Sequence, residues 1–164
     1  MVYIPSWHRN AIELIGVHET PGPRTTAEIA GMLEYLNAPW VDDETPWCGV
    51  FVAYCCKKAG VKIPDNWAWA KAWATWGSPR PKDALGPGTV LVFQRPGGGG
   101  HVGFYEGEDA GRYYVLGGNQ SDQVKRSWLE KSRLIAARWP AGVQFTGHPI
   151  YLDSAGQPVS GNEQ

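Results

Sequence analysis

Residues 45–55 have the sequence TPWCGVFVAYC and place one cysteine where a helix is predicted to begin. Pro46 suits the first turn of a helix, where its missing N–H costs nothing, and apolar residues then recur at helical spacing as far as Gly60. Unpaired backbone N–H groups and the positive end of the helix dipole favour the thiolate form of a first-turn thiol. The pattern indicates a nucleophile at Cys48, and an inert, small buried side chain is the open alternative.

The length and charge of the chain restrict its class. Its 164 residues suit one domain whose core folds without disulfides or metal. The formal net charge is -1 and no run of Lys or Arg stands out, so we expect no nucleic-acid partner. We find neither a signal peptide nor a stretch long enough for a transmembrane helix. We therefore expect a protein that is made in the cytoplasm and reaches any external target by another route.

The cysteines and acidic residues do not form a recognisable metal or disulfide pattern. Two of the three cysteines are adjacent, and no pair has the spacing of a zinc site. Asp42, Asp43 and Glu44 precede the predicted helix, yet the alternating ligands and central glycine of a calcium loop are absent. We therefore expect reduced thiols, no metal and no cofactor, with a solvated acidic turn as the simpler interpretation of the three carboxylates.

Two further helices are predicted before Cys48. Residues 6–17 carry apolar side chains at helical spacing, and a capping box at Thr25 and Glu28 begins the second helix. His18 lies in the turn-rich segment between them. It is a rival candidate for a catalytic base, although nothing around it is specific.

The 9 tryptophans, 13 prolines and 21 glycines suggest a loop-rich fold with an aromatic-lined groove, although Trp is also good core material. Trp69, Trp73 and Trp76 share one face of a helix predicted over residues 66–76, for which packing is the simpler interpretation. Trp73, and Trp47 beside the nucleophile, are our aromatic candidates for substrate contact.

The chain changes from helical to strand character after Gly88. Four strands are predicted, at residues 89–93, 101–106, 112–116 and 134–139. Helices followed by an antiparallel meander are typical of an α+β fold in which N-terminal helices pack on the sheet. We assign residues 1–152 to a single catalytic domain and the polar residues 153–164 to a mobile tail.

His101 opens one predicted strand and Asn119 closes the next. If the Cys48 helix packs across the sheet, both side chains lie within reach of its first turn. His101 would then take the thiol proton and later protonate the leaving amine. Asn119 would accept the far imidazole N–H and hold the ring in the productive tautomer. The alternative for Asn119 is a turn residue, which is common for Asn after two glycines.

Three motifs resemble the signatures of papain-like bacterial and phage cell-wall hydrolases of the NlpC and CHAP type. They are PWCGVFV at residues 46–52, GHVGFY at residues 100–105 and LGGNQS at residues 116–121. More narrowly, the chain is similar to small single-domain members encoded by phages and prophages, over about residues 7–140. The resemblance implies a papain-like α+β fold with Cys48 as nucleophile, His101 as base and Asn119 as the orienting group.

The resemblance further implies cleavage of an amide or peptide bond in the peptide stem or cross-link of peptidoglycan, through a thioester acyl-enzyme. Two departures from the family pattern affect the third catalytic position. NlpC members commonly have a His there, and CHAP members often have an acidic residue two positions earlier, where this chain has Gly117. Gln120 and Asp122 therefore remain candidates for the third role, and Gln120 is also a candidate for substrate contact.

On this resemblance we expect a phage endolysin or a virion-associated lysin. It would be a monomer, made in the host cytoplasm, that acts on the cell wall with the help of a holin or a delivery apparatus. Two alternatives stay open: a catalytically idle wall-binding module, favoured by the aromatic content, and a secreted antibacterial amidase effector. The sequence does not distinguish an amidase from an endopeptidase.

Overall fold

The computed structural model describes residues 3–18, 27–38 and 47–159. Three α-helices precede the sheet: α1 (Ser6–Ile12), α2 (Ala27–Tyr35) and α3 (Cys48–Lys58). The strands are β1 (Ser78–Pro79), β2 (Val90–Gln94), β3 (Gly100–Glu108), β4 (Arg112–Gln120), β5 (Gln123–Glu130) and β6 (Leu134–Trp139). They form one antiparallel sheet in the order β1-β6-β2-β3-β4-β5. Helices packed on an antiparallel sheet confirm the predicted α+β class.

The central helix is α3, because eight of its eleven residues are buried. Its apolar residues Val50, Phe51, Val52 and Ala53 have no exposed surface. Burying a side chain the size of Val or Phe contributes about 1.5–3 kcal/mol to folding. The helix packs on β3 and β4, where Phe51 meets Phe104 edge to face with ring centroids 6.1 Å apart. The sheet therefore fixes the position of the first turn of α3.

The middle of the sheet is buried on both faces. The side chains in the cluster with α3 are Val90, Val92, Val102, Phe104 and Leu116. Those in the cluster on the opposite face are Leu91, Phe93, Tyr105, Tyr113 and Val115. Successive side chains of a strand point to opposite faces, so β2 and β3 contribute to both clusters in alternation. Burial on both faces explains why these strands are continuous apolar runs in the sequence.

A partly buried network of side-chain hydrogen bonds joins α1 to the sheet. His8 Nε2 lies 2.5 Å from one carboxylate oxygen of Glu106 in β3, and Arg126 of β5 donates to the other oxygen. Burial alone would raise the pKa of Glu106, but the hydrogen bonds and charges of His8 and Arg126 outweigh it and lower the pKa. Glu106 is therefore held as a carboxylate that connects three elements.

Two strands were not predicted from the sequence. The strand β5 lies at one edge of the sheet and has the sequence QVKRSWLE. Only Val124 in it is fully buried and most of its other residues are half-buried, so its polar sequence lacks the apolar alternation that predicts a strand. The strand β1 has only two residues. The helix predicted over residues 66–76 is shorter and tighter than expected, a 3-10 helix at Ala70–Thr75.

The C-terminal segment folds back onto the sheet. Tyr151 pairs with Glu108 at the end of β3, and the buried Leu152 follows it. The Asp153 N–H donates to the Gln157 carbonyl at 2.8 Å, and the Val159 N–H donates to the Tyr151 carbonyl at 2.8 Å. Residues 153–159, which we assigned to a mobile tail, are therefore hydrogen-bonded to each other and to residue 151. The predicted domain boundary at residue 153 stays a prediction.

Candidate active site

Cys48 is the first residue of α3, as the sequence predicted. Trp47 precedes it with a non-helical backbone, and the Phe51 N–H donates to the Trp47 carbonyl at 2.9 Å. Pro46, on which part of that prediction rested, lies outside the described residues, as do the acidic residues 42–44 before it. The helix start therefore exposes the backbone N–H groups of its first turn beside the Cys48 thiol.

Two glycines allow other backbone segments to approach this helix start closely. A Cβ atom on Gly49 would lie 2.5 Å from the carbonyl oxygen of Trp67 and 2.6 Å from that of Ala68. A Cβ atom on Gly118 in β4 would lie 2.8 Å from the Trp47 ring. The first turn of α3 is therefore held between the loop at residues 67–68 and the end of β4.

The Cys48 thiol is neutral in the free protein. Only 3% of the residue is exposed, and this burial raises the pKa of the Cys48 thiol. The Val102 amide, the Arg95 guanidinium and the amides of Gly49 and Cys48 act in the opposite direction without outweighing burial. We expected the helix start to favour the thiolate. The backbone amides at the helix start do lower the pKa of the thiol, but desolvation of the thiolate raises this pKa by more.

His101 is fixed by one partner on each ring nitrogen. Its Nε2 lies 2.8 Å from Gln120 Oε1, and its Nδ1 lies 3.2 Å from Arg95 Nη2. A guanidinium only donates, so Nδ1 is the acceptor and Nε2 carries the proton that is donated to Gln120. Burial lowers the pKa of His101 to about 4. The nearby charges of Arg95 and Arg133 also lower this pKa, and the hydrogen bond to Gln120 acts in the opposite direction. The ring is therefore neutral at neutral pH and has a lone pair on Nδ1.

Gln120 makes the contact that we predicted for Asn119. The Gln120 amide nitrogen donates to the carbonyls of Val115 at 3.2 Å and Lys125 at 2.5 Å. With its nitrogen held by two carbonyls, the amide must turn its oxygen towards His101. From the sequence, Gln120 is a candidate for the third catalytic group and for substrate contact. Its hydrogen bond to His101 is the contact that the first of these roles requires, and both roles stay predictions.

A β-bulge explains why the adjacent residue takes this position. Asn119 has φ +58°, in the left-handed region that Asn tolerates better than most residues. The register between β4 and β5 shifts between Gly117 and Gln120. A bulge displaces the alternation of side chains by one residue, so that Gln120 and not Asn119 meets the imidazole. Alternation counted along the sequence does not reveal such a shift.

Val102 connects the thiol to the histidine. Its backbone N–H lies beside the Cys48 sulfur, and it follows His101 directly in β3. Within the described residues no hydrogen bond joins the Cys48 thiol to the His101 ring, whose Nδ1 instead accepts from Arg95. The two groups are brought together by the β3 backbone, and Arg95 occupies the nitrogen that would serve as the base.

A cavity of about 510 Å³ lies beside His101. Asn119, Gln120, Arg95 and Arg133 line it. No acidic residue is found among the described residues of its wall. Cys48 is not among the residues that line this cavity, so the thiol and the cavity approach His101 from different directions.

Arg95 and Arg133 were not identified from the sequence. Arg95 follows β2, and its backbone N–H donates to the Gly99 carbonyl at 3.0 Å across the β2–β3 hairpin. Gly97, Gly98 and Gly99 all have positive φ, which glycine adopts without strain. An arginine at a strand end, followed by a glycine loop and a histidine, was the signal available in the sequence.

The two tryptophans predicted to contact substrate lie in the core. Trp47 is 1% exposed and Trp73 has no exposed surface. The Trp73 indole N–H donates to the Trp67 carbonyl at 3.0 Å, and its ring packs edge to face on Trp76. The packing interpretation therefore accounts for Trp73, because a side chain without surface cannot contact a substrate in this conformation. Trp69 on the same segment is 60% exposed.

The remaining candidates lie away from His101. His18 forms a bridge with Gln123 at the start of β5 and is not among the residues that line the cavity. In the described ranges no three His, Cys, Asp or Glu side chains gather as a metal site. The acidic residues 42–44, which we considered as calcium ligands, lie outside those ranges. No helix in the described part of the chain has the length and apolar character to cross a membrane.

Comparison with known protein families places this site in context. Residues 40–119, just under half of the chain, match the model of the CHAP domain. This is a papain-like family of cell-wall hydrolases, and the match implies an amidase or peptidase that acts on peptidoglycan. The predicted papain-like fold is thereby confirmed. The matched segment contains Cys48, His101 and Asn119 and ends one residue before Gln120. No curated protein matches the chain significantly.

Proposed function

Because residues 40–119 match the papain-like CHAP domain, we propose that this chain is a cysteine hydrolase that cleaves an amide or peptide bond in the peptide stem or cross-link of peptidoglycan. One observation supports this most directly. Cys48 begins a helix beside the Val102 amide, and the adjacent His101 is held by Gln120 in the tautomer that leaves Nδ1 free of a proton. A thiol, a base and an orienting amide are the components of nucleophilic acyl transfer.

The proposed reaction begins with a proton transfer. His101 Nδ1 accepts the thiol proton as the Cys48 sulfur attacks the carbonyl carbon and an S–C bond forms. The imidazolium then gives this proton to the leaving amine as the C–N bond breaks, which leaves a thioester. His101 next takes a proton from water, the resulting attack releases a carboxylate product, and the thiol is restored. The Cys48 backbone N–H is a donor for the oxyanion of each addition.

The Cys48 thiol and the His101 ring are both neutral in the free protein, and this determines when the proton is transferred between them. The raised pKa of Cys48 and the lowered pKa of His101 mean that the free protein holds no thiolate–imidazolium pair. General-base catalysis by His101 therefore accompanies the attack, and Arg95 has to leave Nδ1 before the proton can move. A substrate that enters the cavity lies next to this arginine.

Replacing Cys48 by Ala should abolish the release of soluble muropeptides from purified sacculi. Cys55→Ala is the matched control, because Cys55 is fully buried in the same helix and away from its start. Mass spectrometry of the released fragments identifies the bond from the new free amine. Undiminished release by Cys48→Ala would contradict the proposal.

A catalytically idle wall-binding module is the second candidate. The buried Cys48 and the absence of a described hydrogen bond between its thiol and His101 favour it. Retention of the protein on sacculi, with no fragment released by the wild type across a pH series, would support this alternative.

The biological context is a separate proposal. We propose a monomeric phage endolysin or virion-associated lysin that is made in the bacterial cytoplasm and acts on the wall, aided by a holin or a delivery apparatus. A secreted amidase effector is the alternative. A neighbouring holin gene would support the first, and a neighbouring immunity gene would support the second.

A further inference from the structure

The described residues that line the cavity beside His101 include two arginines and no acidic side chain. Arg95 and Arg133 both line it, and both act on His101 as nearby positive charges. The other described residues of the wall are neutral, and they include the side chains of Asn119 and Ser127. A cavity with two guanidinium groups and neutral polar neighbours is suited to an anionic ligand.

Each arginine keeps donors available for such a ligand. Arg95 Nη2 donates to His101 Nδ1 at 3.2 Å, a neutral acceptor that leaves the guanidinium charge uncompensated. Arg133 Nε donates to the Gln94 carbonyl at 2.9 Å, and its terminal nitrogens make no hydrogen bond to the described residues. Both side chains are only partly buried, so a ligand in the cavity can reach them.

We propose that Arg95 and Arg133 form a subsite that binds a free carboxylate of the peptide stem beside the bond that is cleaved. This inference rests on the proposed function. A carboxylate pairs with guanidinium groups more strongly than a neutral imidazole does, because its two oxygens accept charge-assisted hydrogen bonds. Its arrival would draw the Arg95 donor away from His101 Nδ1. Recognition of the carboxylate therefore frees the base for the thiol proton.

The test measures binding separately from cleavage. Synthetic stem peptides with free carboxylates, and the same peptides with each carboxylate converted in turn to a carboxamide, are titrated calorimetrically into Cys48→Ala protein. We expect amidation at one position to weaken binding by about tenfold or more, the effect of losing a hydrogen bond between charged partners. Arg133→Gln in the same background should reduce this difference to about threefold or less, and Arg133→Lys should retain part of it.

Arg112→Gln is the matched control. Arg112 is a partly exposed arginine at the other end of β4 that pairs with Asp109, so its replacement should leave the preference for the free carboxylate unchanged. Equal affinity for all peptide forms, failure of every form to bind, or an unchanged preference in Arg133→Gln would overturn the subsite. Wild-type cleavage of the same peptides is measured in parallel. Cleavage without a preference for the free carboxylate would refute the subsite alone. A preference for the free carboxylate without cleavage would refute the proposed function alone.

Discussion

Gln120 determines which nitrogen of His101 carries the proton. Its amide oxygen accepts from Nε2, and two backbone carbonyls prevent the amide from turning round. Without Gln120 the imidazole can rotate or change tautomer, and Nδ1 is then protonated in part of the population. In the proposed reaction Gln120 therefore acts through His101, as a positioning group.

Gln120→Ala should lower kcat/KM on peptidoglycan by about 10²- to 10⁴-fold, the range for loss of a group that orients a catalytic base. Asn119→Gly is the matched control, since glycine keeps the positive φ of this position and leaves the Gln120 contact intact. It should cost less than about tenfold. Kinetics on soluble muropeptides, with thermal melting as the check on folding, would measure both. A larger loss in Asn119→Gly than in Gln120→Ala would return the orienting role to Asn119.

The helix α3 depends on a glycine at its second position. Gly49→Ala would place a methyl group 2.5 Å from the Trp67 carbonyl oxygen, which is backbone and cannot turn aside. We expect a loss of about 1–3 kcal/mol in the free energy of unfolding, typical of an overpacked site. Gly31→Ala in α2 is the same change with nothing within 4 Å, and it should stabilise by about 0.5–1 kcal/mol. Urea denaturation compares the two, and equal effects would refute the packing role of Gly49.

The elements were predictable where a strong local pattern specified them. The start of α3 at Cys48 and the strands β2 and β6 follow from apolar spacing and β-branched runs. The edge strand β5 was missed because half-burial leaves a polar sequence. The contact between Gln120 and His101 was assigned to Asn119 because a bulge depends on the pairing between strands. The neutral state of the Cys48 thiol was missed because burial is a property of the assembled core.

The stability of the whole molecule at acid pH reflects the buried His101. Its pKa is about 4 in the folded protein and near 6.5 in the unfolded chain, so between these values only the unfolded chain binds the proton. The free energy of unfolding should therefore fall as the pH drops from about 6.5 to about 4. Between pH 7.5 and 4.5 this site contributes a loss of about 2–3 kcal/mol.

The prediction is tested with His101→Gln, which removes the titrating group from both states. Glu106, whose pKa is lowered in the folded protein, loses its contribution only as the pH falls below its unfolded value near 4.5, and it does so equally in both proteins. Urea denaturation at pH 7.5 and 4.5 should show that the wild type loses about 2–3 kcal/mol more than His101→Gln. Equal losses would mean that His101 binds its proton as readily in the folded state as in the unfolded chain. The ring would then be accessible to water, and its burial against Gln120 and Arg95 would not describe the protein in solution.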